Sequence, residues 1–322
     1  MRRLSTREQE ILAVTYFAAD LPVSEVAQIV GCREHTVRHS LQQLHSDGLI
    51  KLRPYCNPYA LGYKEYVAWL TLSSADRSQR RTLRAVLCES SRTTYVTDVE
   101  GQYQIFVMFL AKDIDEIESF FDSVSASASG VSFTKTIGQV SQLMLFTPKR
   151  FMRKGLDIGT LSYSPVKESH VLDDLDRKLL VAFASAASAS SAELARSVGL
   201  PVSTVSYRIK SLMAKGVILA VGYSSVRFDD GIVPFGLLIN ITASSAQMRG
   251  KLRQFCKAHP RTSALLDVVG PWEHQVEVEL HDVREITEIV QEFYDSFPSY
   301  IKNIQTIPIG STHKLTPYPL SV

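Results

Sequence analysis

Two short stretches carry polar side chains at helical spacing with the chemistry to read a DNA duplex. The first, "REHTVRHSLQ", sets Arg33, His35, Thr36, Arg38, His39 and Gln42 around an apolar stripe of Val37, Leu41 and Leu44. The second, "PVSTVSYRIK", sets Ser203, Thr204, Ser206, Tyr207, Arg208 and Lys210 around Val205, Ile209 and Leu212. Arginine can take guanine bidentately and glutamine adenine. Serine, threonine, tyrosine and lysine take phosphates. The plain alternative is a solvated polar face over a core stripe. No carboxylate or cysteine joins the histidines into a metal-ligand set, so no metal, cofactor or catalytic residue is expected here.

The elements that must position these residues repeat. "SEVAQIVGCREHTVRHSLQQLHSDGLI" from Ser24 and "AELARSVGLPVSTVSYRIKSLMAKGVI" from Ala192 align without a gap at an offset of 168 residues. Such self-similarity must be found before any fold is assigned. Upstream, "LSTREQEILAVTYFA" and "LDDLDRKLLVAFAS" are helical in period; Leu172, Leu175, Leu179 and Phe183 form one stripe, and Ser5 or Thr6 can cap with Glu8 in reach. Gly31 and Gly199 end a short second helix, and Ser203 is a cap signal for the third. The stretch "ASAASASS" (Ala184 to Ser191) reads as a helix end and connecting loop. Three short helices followed by a hairpin describe a winged helix-turn-helix.

The rest of each half alternates strand and helix. "YVAWLTL", "YQIFVMFLA", "PFGLLINI" and "HQVEVELH" are strand-like, the last alternating Val276, Val278 and Leu280 with polar residues. The helical segments between them give βαββαβ, a ferredoxin-like order. The expectation is therefore an α+β protein holding two copies of a winged helix-turn-helix followed by a ferredoxin-like βαββαβ domain. The boundaries fall at residues 1–55, 56–148, a linker at 149–170, then 171–224 and 225–322.

A winged helix-turn-helix joined to a βαββαβ domain resembles the Lrp/AsnC (feast/famine) family of transcription regulators. The likeness rests on "LDDLDRKLL", "AELARSVGLPVSTVSYRIKSLMAKGVI" and "VVGPWEHQVEVEL", with "NPYALGY" (Asn57 to Tyr63) as the link between domains. It implies double-stranded DNA as a partner and a small-molecule effector, an amino acid or other metabolite. Effector contacts would come from Gly101, Tyr103, Gln104, Gly270, Trp272 and Glu273. The family's aspartate three residues after the glycine is replaced here by Gln104 and Glu273, and its recognition-helix arginine is kept as Arg208 but is Ser40 in the first half. The resemblance further implies an intramolecular pseudo-dimer, open to further self-association. The rival from another class is a siroheme-decarboxylase-like enzyme, which resembles the family in both domains. Its chemistry would need Arg92, His259, Arg261 and His274 in the effector-domain pocket. A third reading is a ligand-binding module without DNA binding.

Composition bounds these readings without choosing among them. The 322 residues are 45% hydrophobic and 21% charged, with net charge +2. Seven basic side chains face six acidic ones in residues 1–55, and six face four in residues 169–222. Strong DNA binding therefore requires the charges to be segregated onto one face. Cys32, Cys56, Cys88 and Cys256 lie far apart and read as reduced thiols. "IVPFGLLINI" is too short to span a bilayer, and the basic start lacks an apolar leader. No membrane partner and a cytoplasmic location are expected.

Overall fold

A computed structural model describes residues 3–74, 76–151, 159–185, 191–225, 231–243 and 245–318; residues 186–190 of the Ala/Ser stretch lie outside them. Helix α1 (Thr6–Thr15) starts at Ser5, whose side chain accepts from the Glu8 N–H while the Glu8 carboxylate accepts from the Ser5 N–H at 2.8 Å. This is the capping box expected from the sequence. Helix α2 (Val23–Val30) ends at Gly31 with φ +70°, and α3 (Glu34–Ser46) follows. Strand β1 (Ile50–Cys56) and a 3-10 turn at Pro58–Leu61 lead into β2 (Lys64–Leu72), α4 (Arg77–Glu89), β3 (Thr93–Val99), β4 (Ile105–Ala111), α5 (Ile114–Ser127) and β5 (Phe133–Phe146).

The segment after β5 is more than a tether. It contributes a 3-10 turn at Lys149–Phe151 and strand β6 (Thr160–Tyr163), which pairs with the end of β5. The second half then repeats the element order: α6 (Asp174–Ser185), α7 (Ser191–Val198), α8 (Val202–Ala214), β7 (Ile218–Ser225), β8 (Val233–Ile241), α9 (Ala246–Ala258), β9 (Thr262–Val269), β10 (His274–Leu280), α10 (Glu285–Ser296) and β11 (Ile301–Leu315). Two local expectations change. Helix α8 is capped at Pro201 without a side-chain hydrogen bond, so Ser203 sits inside its first turn. Leu172, Leu179 and Phe183 are buried, but Leu175 is 40% exposed.

Among the described residues, a single strand stands where a hairpin was expected after each third helix. Strands β1 and β7 pair with each other, antiparallel from Ile50 opposite Ser225 to Cys56 opposite Ile218. The physical reason is at the end of β1, where the chain enters the Asn57-capped turn and leaves no second strand to fold back. A lone strand must find a partner for its N–H and C=O groups, and the counterpart in the other half supplies it.

The two βαββαβ domains share this reciprocity on a larger scale. Within the first, the strand order is β5-β2-β4-β3; within the second it is β11-β8-β10-β9. The last strand of each then crosses to the edge of the other: β5 pairs with β9, and β11 with β3. The eight-stranded ladder therefore closes on itself. Alternation along β2 divides its side chains, with Tyr66, Ala68 and Leu70 under α4 and α5, and Val67 and Trp69 facing the other sheet. Leu237 and Ile239 of β8 likewise face α9 and α10, while Leu238 faces inward.

Two lysines fasten the exchange. Lys149, just past β5, donates to the carbonyls of Cys256 and His259 at 2.9 and 2.5 Å and to Thr262 Oγ1 at 3.0 Å. These acceptors lie at and after the end of α9, where helix carbonyls lack internal partners. Lys314 near the end of β11 does the same for α4, donating to Ser90 O at 2.6 Å and Thr93 Oγ1 at 3.0 Å. Burial lowers both ammonium pKa values, that of Lys149 to about 8. Replacing Lys149 with methionine leaves its acceptors unpaired and is expected to cost about 1–3 kcal/mol in urea unfolding.

Glu65 adds a pH dependence. It is 2% exposed and accepts from the Tyr163 hydroxyl of β6 at 2.7 Å. Burial raises its carboxyl from 4.5 to about 7, against the smaller opposing effect of the Tyr163 hydrogen bond. Between these values the folded chain holds a proton that the unfolded chain has lost. Glu65 thus contributes stability below pH 4.5 that is lost as pH rises toward 7. In denaturation measured across that range, Glu65→Gln should remove a slope approaching about 1.4 kcal/mol per pH unit.

Candidate nucleic-acid interface

On α3 the core stripe is Val37 and Leu44, both fully buried, with Leu41 half-buried. Arg33, which caps the helix through its backbone, and His35, Arg38, His39 and Gln42 are exposed, and Thr36 is half-buried. Arg38 pairs with Glu34 one turn earlier at 2.9 Å. An exposed pair of this kind holds little energy, so a phosphate or guanine can compete for the guanidinium.

The α8 face is different in kind. Ser203, Tyr207 and Lys210 are exposed, Tyr207 by 74%, while Thr204 and Ser206 are half-buried. Arg208 turns back to the start of α6, donating to Asp173 at 2.8 Å and Asp176 at 2.6 Å. The hydrogen bond from Arg208 holds the Asp173 carboxyl below its ordinary range. The positions equivalent to Arg208, Asp173 and Asp176 in the first half are Ser40, Ser5 and Glu8. There Ser40 is buried and the helix start is closed by the capping box. The second half thus ties its third helix to the start of its first, whereas in the first half the helix start is closed within α1 itself. Sequence reasoning missed this tie, whose signal was the joint change of all three positions at one offset.

The effector-loop residues occupy the β3–β4 and β9–β10 turns. Tyr103 and Trp272 are buried between the sheets, 5.3 and 6.1 Å from the ring of Trp69. Gln104 accepts from the Leu72 N–H at 2.9 Å, and Glu273 accepts from the equivalent Ile241 N–H at 3.0 Å. Gly101 has φ +98°. Gly270 lies against β5, where a Cβ would come within 2.8 Å of the Gly138 Cα.

The four residues that decarboxylase chemistry would need are held in internal pairs. Arg92 bonds Glu116 at 2.7 Å, His259 bonds Glu292 at 2.7 Å, and Arg261 pairs with Glu285 at 3.3 Å. His274, 1% exposed, sits between Asp267 at 2.7 Å and the Tyr300 hydroxyl at 2.8 Å. Among the described residues no group of three or more His, Cys, Asp or Glu could hold a metal ion, and no helix is long and apolar enough to cross a membrane.

Comparison with known proteins agrees with this geometry. A family model for winged helix-turn-helix DNA-binding domains matches residues 172–218. The chain is similar to the HTH-type transcriptional regulator FL11 of Pyrococcus abyssi, 28% identical over 131 residues that make up 40% of this chain and 85% of that protein. An HTH-type transcriptional regulator of Pyrococcus horikoshii is 25% identical over 130 residues, 40% of this chain and 81% of that one. Among solved structures, the siroheme decarboxylase NirDL superposes over 97% of this chain and 93% of its own, with a TM-score of 0.62 and 11% identity. That last likeness is one of fold. The chain is an α+β protein with a winged helix-turn-helix, similar to transcription regulators that carry one.

The geometry at Arg208 makes a specific prediction. A double-mutant cycle on Arg208→Ala and Asp176→Ala should give a coupling of about 0.5–1 kcal/mol in thermal unfolding. Arg208→Ala should weaken DNA binding less than Tyr207→Ala combined with Lys210→Ala, as read by mobility shift.

Proposed function

We propose that this chain is a sequence-specific DNA-binding transcription regulator of the Lrp/AsnC type, with two unequal readers in one polypeptide. The observation that carries the reading is the β1–β7 pairing, which holds both helix-turn-helix units on one rigid ribbon while α3 and α8 keep exposed polar faces. The repeated element order and the exchanged strands support an internal duplication in which one chain supplies both halves of a pseudo-dimer. Arg33, His35, Thr36, Arg38, His39 and Gln42 form the first reader, and Ser203, Thr204, Ser206, Tyr207 and Lys210 the second. Arg208 positions α8 rather than touching bases.

Paired readers meet half-sites about one helical turn apart, near 34–36 Å. Because the faces differ, the operator should be asymmetric. Selection from random duplexes should yield two dissimilar half-sites, and palindromes of either half should bind at least tenfold more weakly. Equal binding to a palindrome would overturn the unequal-reader reading. Lys210→Ala should also reduce the slope of log K against log salt by about one.

The decarboxylase reading draws on the whole-chain likeness to NirDL, but Arg92, His259, Arg261 and His274 are committed to partners. Incubation with siroheme should release no carbon dioxide. Release would reverse the assignment.

A further inference from the structure

The outer helical layer of the first half holds an open groove. A cavity of about 360 Å³ lies between the C-terminal end of α4, the turn that follows it and one face of α5. Its floor is apolar, built from Val86, Phe120 and Val124. Its walls carry five hydroxyls: Ser90 and Ser91 after α4, and Ser119, Ser123 and Ser127, which recur every fourth residue along α5 and so share one side of the helix. All of these serines but Ser90 are exposed. Glu89 and Arg92 complete the lining; Arg92 spends one N–H on Glu116 at 2.7 Å and leaves 33% of its side chain exposed.

The second half fills the same place. The positions equivalent to Val86, Ser90, Ser119 and Ser123 are Phe255, His259, Glu288 and Glu292. Phe255 packs edge-on to Phe293 at 5.0 Å and lies 5.4 Å from the His259 ring, and His259 bonds Glu292 at 2.7 Å. The backbone beneath is common to both halves. Ser90 Oγ accepts from the Arg92 N–H at 3.2 Å, as His259 Nδ1 does from the Arg261 N–H at 3.2 Å. The Ser90 carbonyl is held by Lys314 and that of His259 by Lys149. The groove therefore comes from smaller side chains at four positions on a shared frame, not from a distorted loop.

We propose that this groove binds a small, neutral, polyhydroxylated molecule of monosaccharide size. Its volume lies near the low end of ligand pockets, which run from roughly 300 Å³ upward. A serine hydroxyl both donates and accepts, as a sugar hydroxyl does, so the wall matches that chemistry without fixed charge. The C–H face of a pyranose or cyclitol ring packs on Val86, Phe120 and Val124. Glu89 accepts from ring hydroxyls, and the remaining N–H groups of Arg92 donate to them. Anions are disfavoured, because the groove sits at the negative end of the α4 dipole, and Glu89 and Glu116 stand against one arginine. The groove adjoins the start of β3, whereas the turn holding Gly101 and Gln104 follows its other end, so the two are separate places. Binding here requires nothing of the DNA-reading helices.

Saturation-transfer NMR on the full chain, with D-glucose, D-ribose and myo-inositol as probes, tests this. At least one should give a saturable signal with a dissociation constant on the order of millimolar, the range open to so few atoms. Glucose 6-phosphate should bind more weakly than glucose. Ser90→His combined with Ser123→Glu installs the pair that already fits the second half, so it should fold normally and abolish the signal. Ser119→Ala combined with Ser123→Ala removes two hydroxyls without adding bulk and should weaken binding roughly fivefold or more. No saturable signal from any of the three probes, tighter binding of the phosphate ester, or unchanged affinity in either double variant would overturn the proposal. The readout uses no DNA, so its failure and that of the DNA-binding reading remain distinguishable.

Discussion

Each half of this protein finishes the other half's sheet. Without the crossing of β5 to β9 and β11 to β3, the edges of β3 and β9 would expose rows of unpaired backbone groups, the usual invitation to aggregation. Closing the ladder removes those edges and buries Trp69, Phe106, Leu238, Leu266 and Trp272 between the sheets. Each such side chain contributes on the order of 1.5–3 kcal/mol when fully buried, so this shared core outweighs any single tie around it. The lysine clasps are positioned by the exchange, since each sits just past or near the end of a strand that has already crossed. The helix-turn-helix units are held beside the ladder by the β1–β7 ribbon.

Much of this was legible at the level of elements. The repeat offset, the capping box at Ser5, the left-handed glycines 31 and 199, and the βαββαβ order all leave local marks on the sequence. Partners leave no such mark. A strand's period shows which residues share a face but not which strand lies beside it, so β1 and β7 read as the first arms of hairpins. The same limit hid the inner face of β10. Its alternation looks like a sheet with one wet side, yet the polar side meets the other half of the chain. The exposed polar positions on α3 and α8 were readable from helical period, whereas the turning of Arg208 onto Asp173 and Asp176 depends on packing between helices.

The pairing is symmetric, but the side chains it carries are not. Where the second half ties α8 to the start of α6 with Arg208, the first has a buried Ser40 on α3 and a cap closed within α1. His274 bridges Asp267 and Tyr300, while the equivalent residue of the first half is Ile105 within an apolar core. The Arg92–Glu116 and Arg261–Glu285 pairs, by contrast, occur at equivalent positions in both halves. Backbone exchange constrains the frame and the pairs that brace it, leaving each half free to vary its reading surface and interior. Two separate but identical chains could not differ in this way.

The same frame joins the helix-turn-helix units to the sheets through close contacts. The end of α1 is wedged against the ribbon: Ala19 donates to Val221 O at 2.7 Å, and Phe17 packs edge-on to Tyr55 at 5.1 Å. Gly222 is required there, because a Cβ would lie 1.9 Å from the Tyr16 carbonyl oxygen. Arg53 on β1 donates both to Ala184 O at the end of α6 and to Leu315 O at the end of β11. One side chain thus joins the ribbon, the second helix-turn-helix and an exchanged strand. Arg53 is thus a direct contact between the end of β11 and the ribbon that carries both helix-turn-helix units.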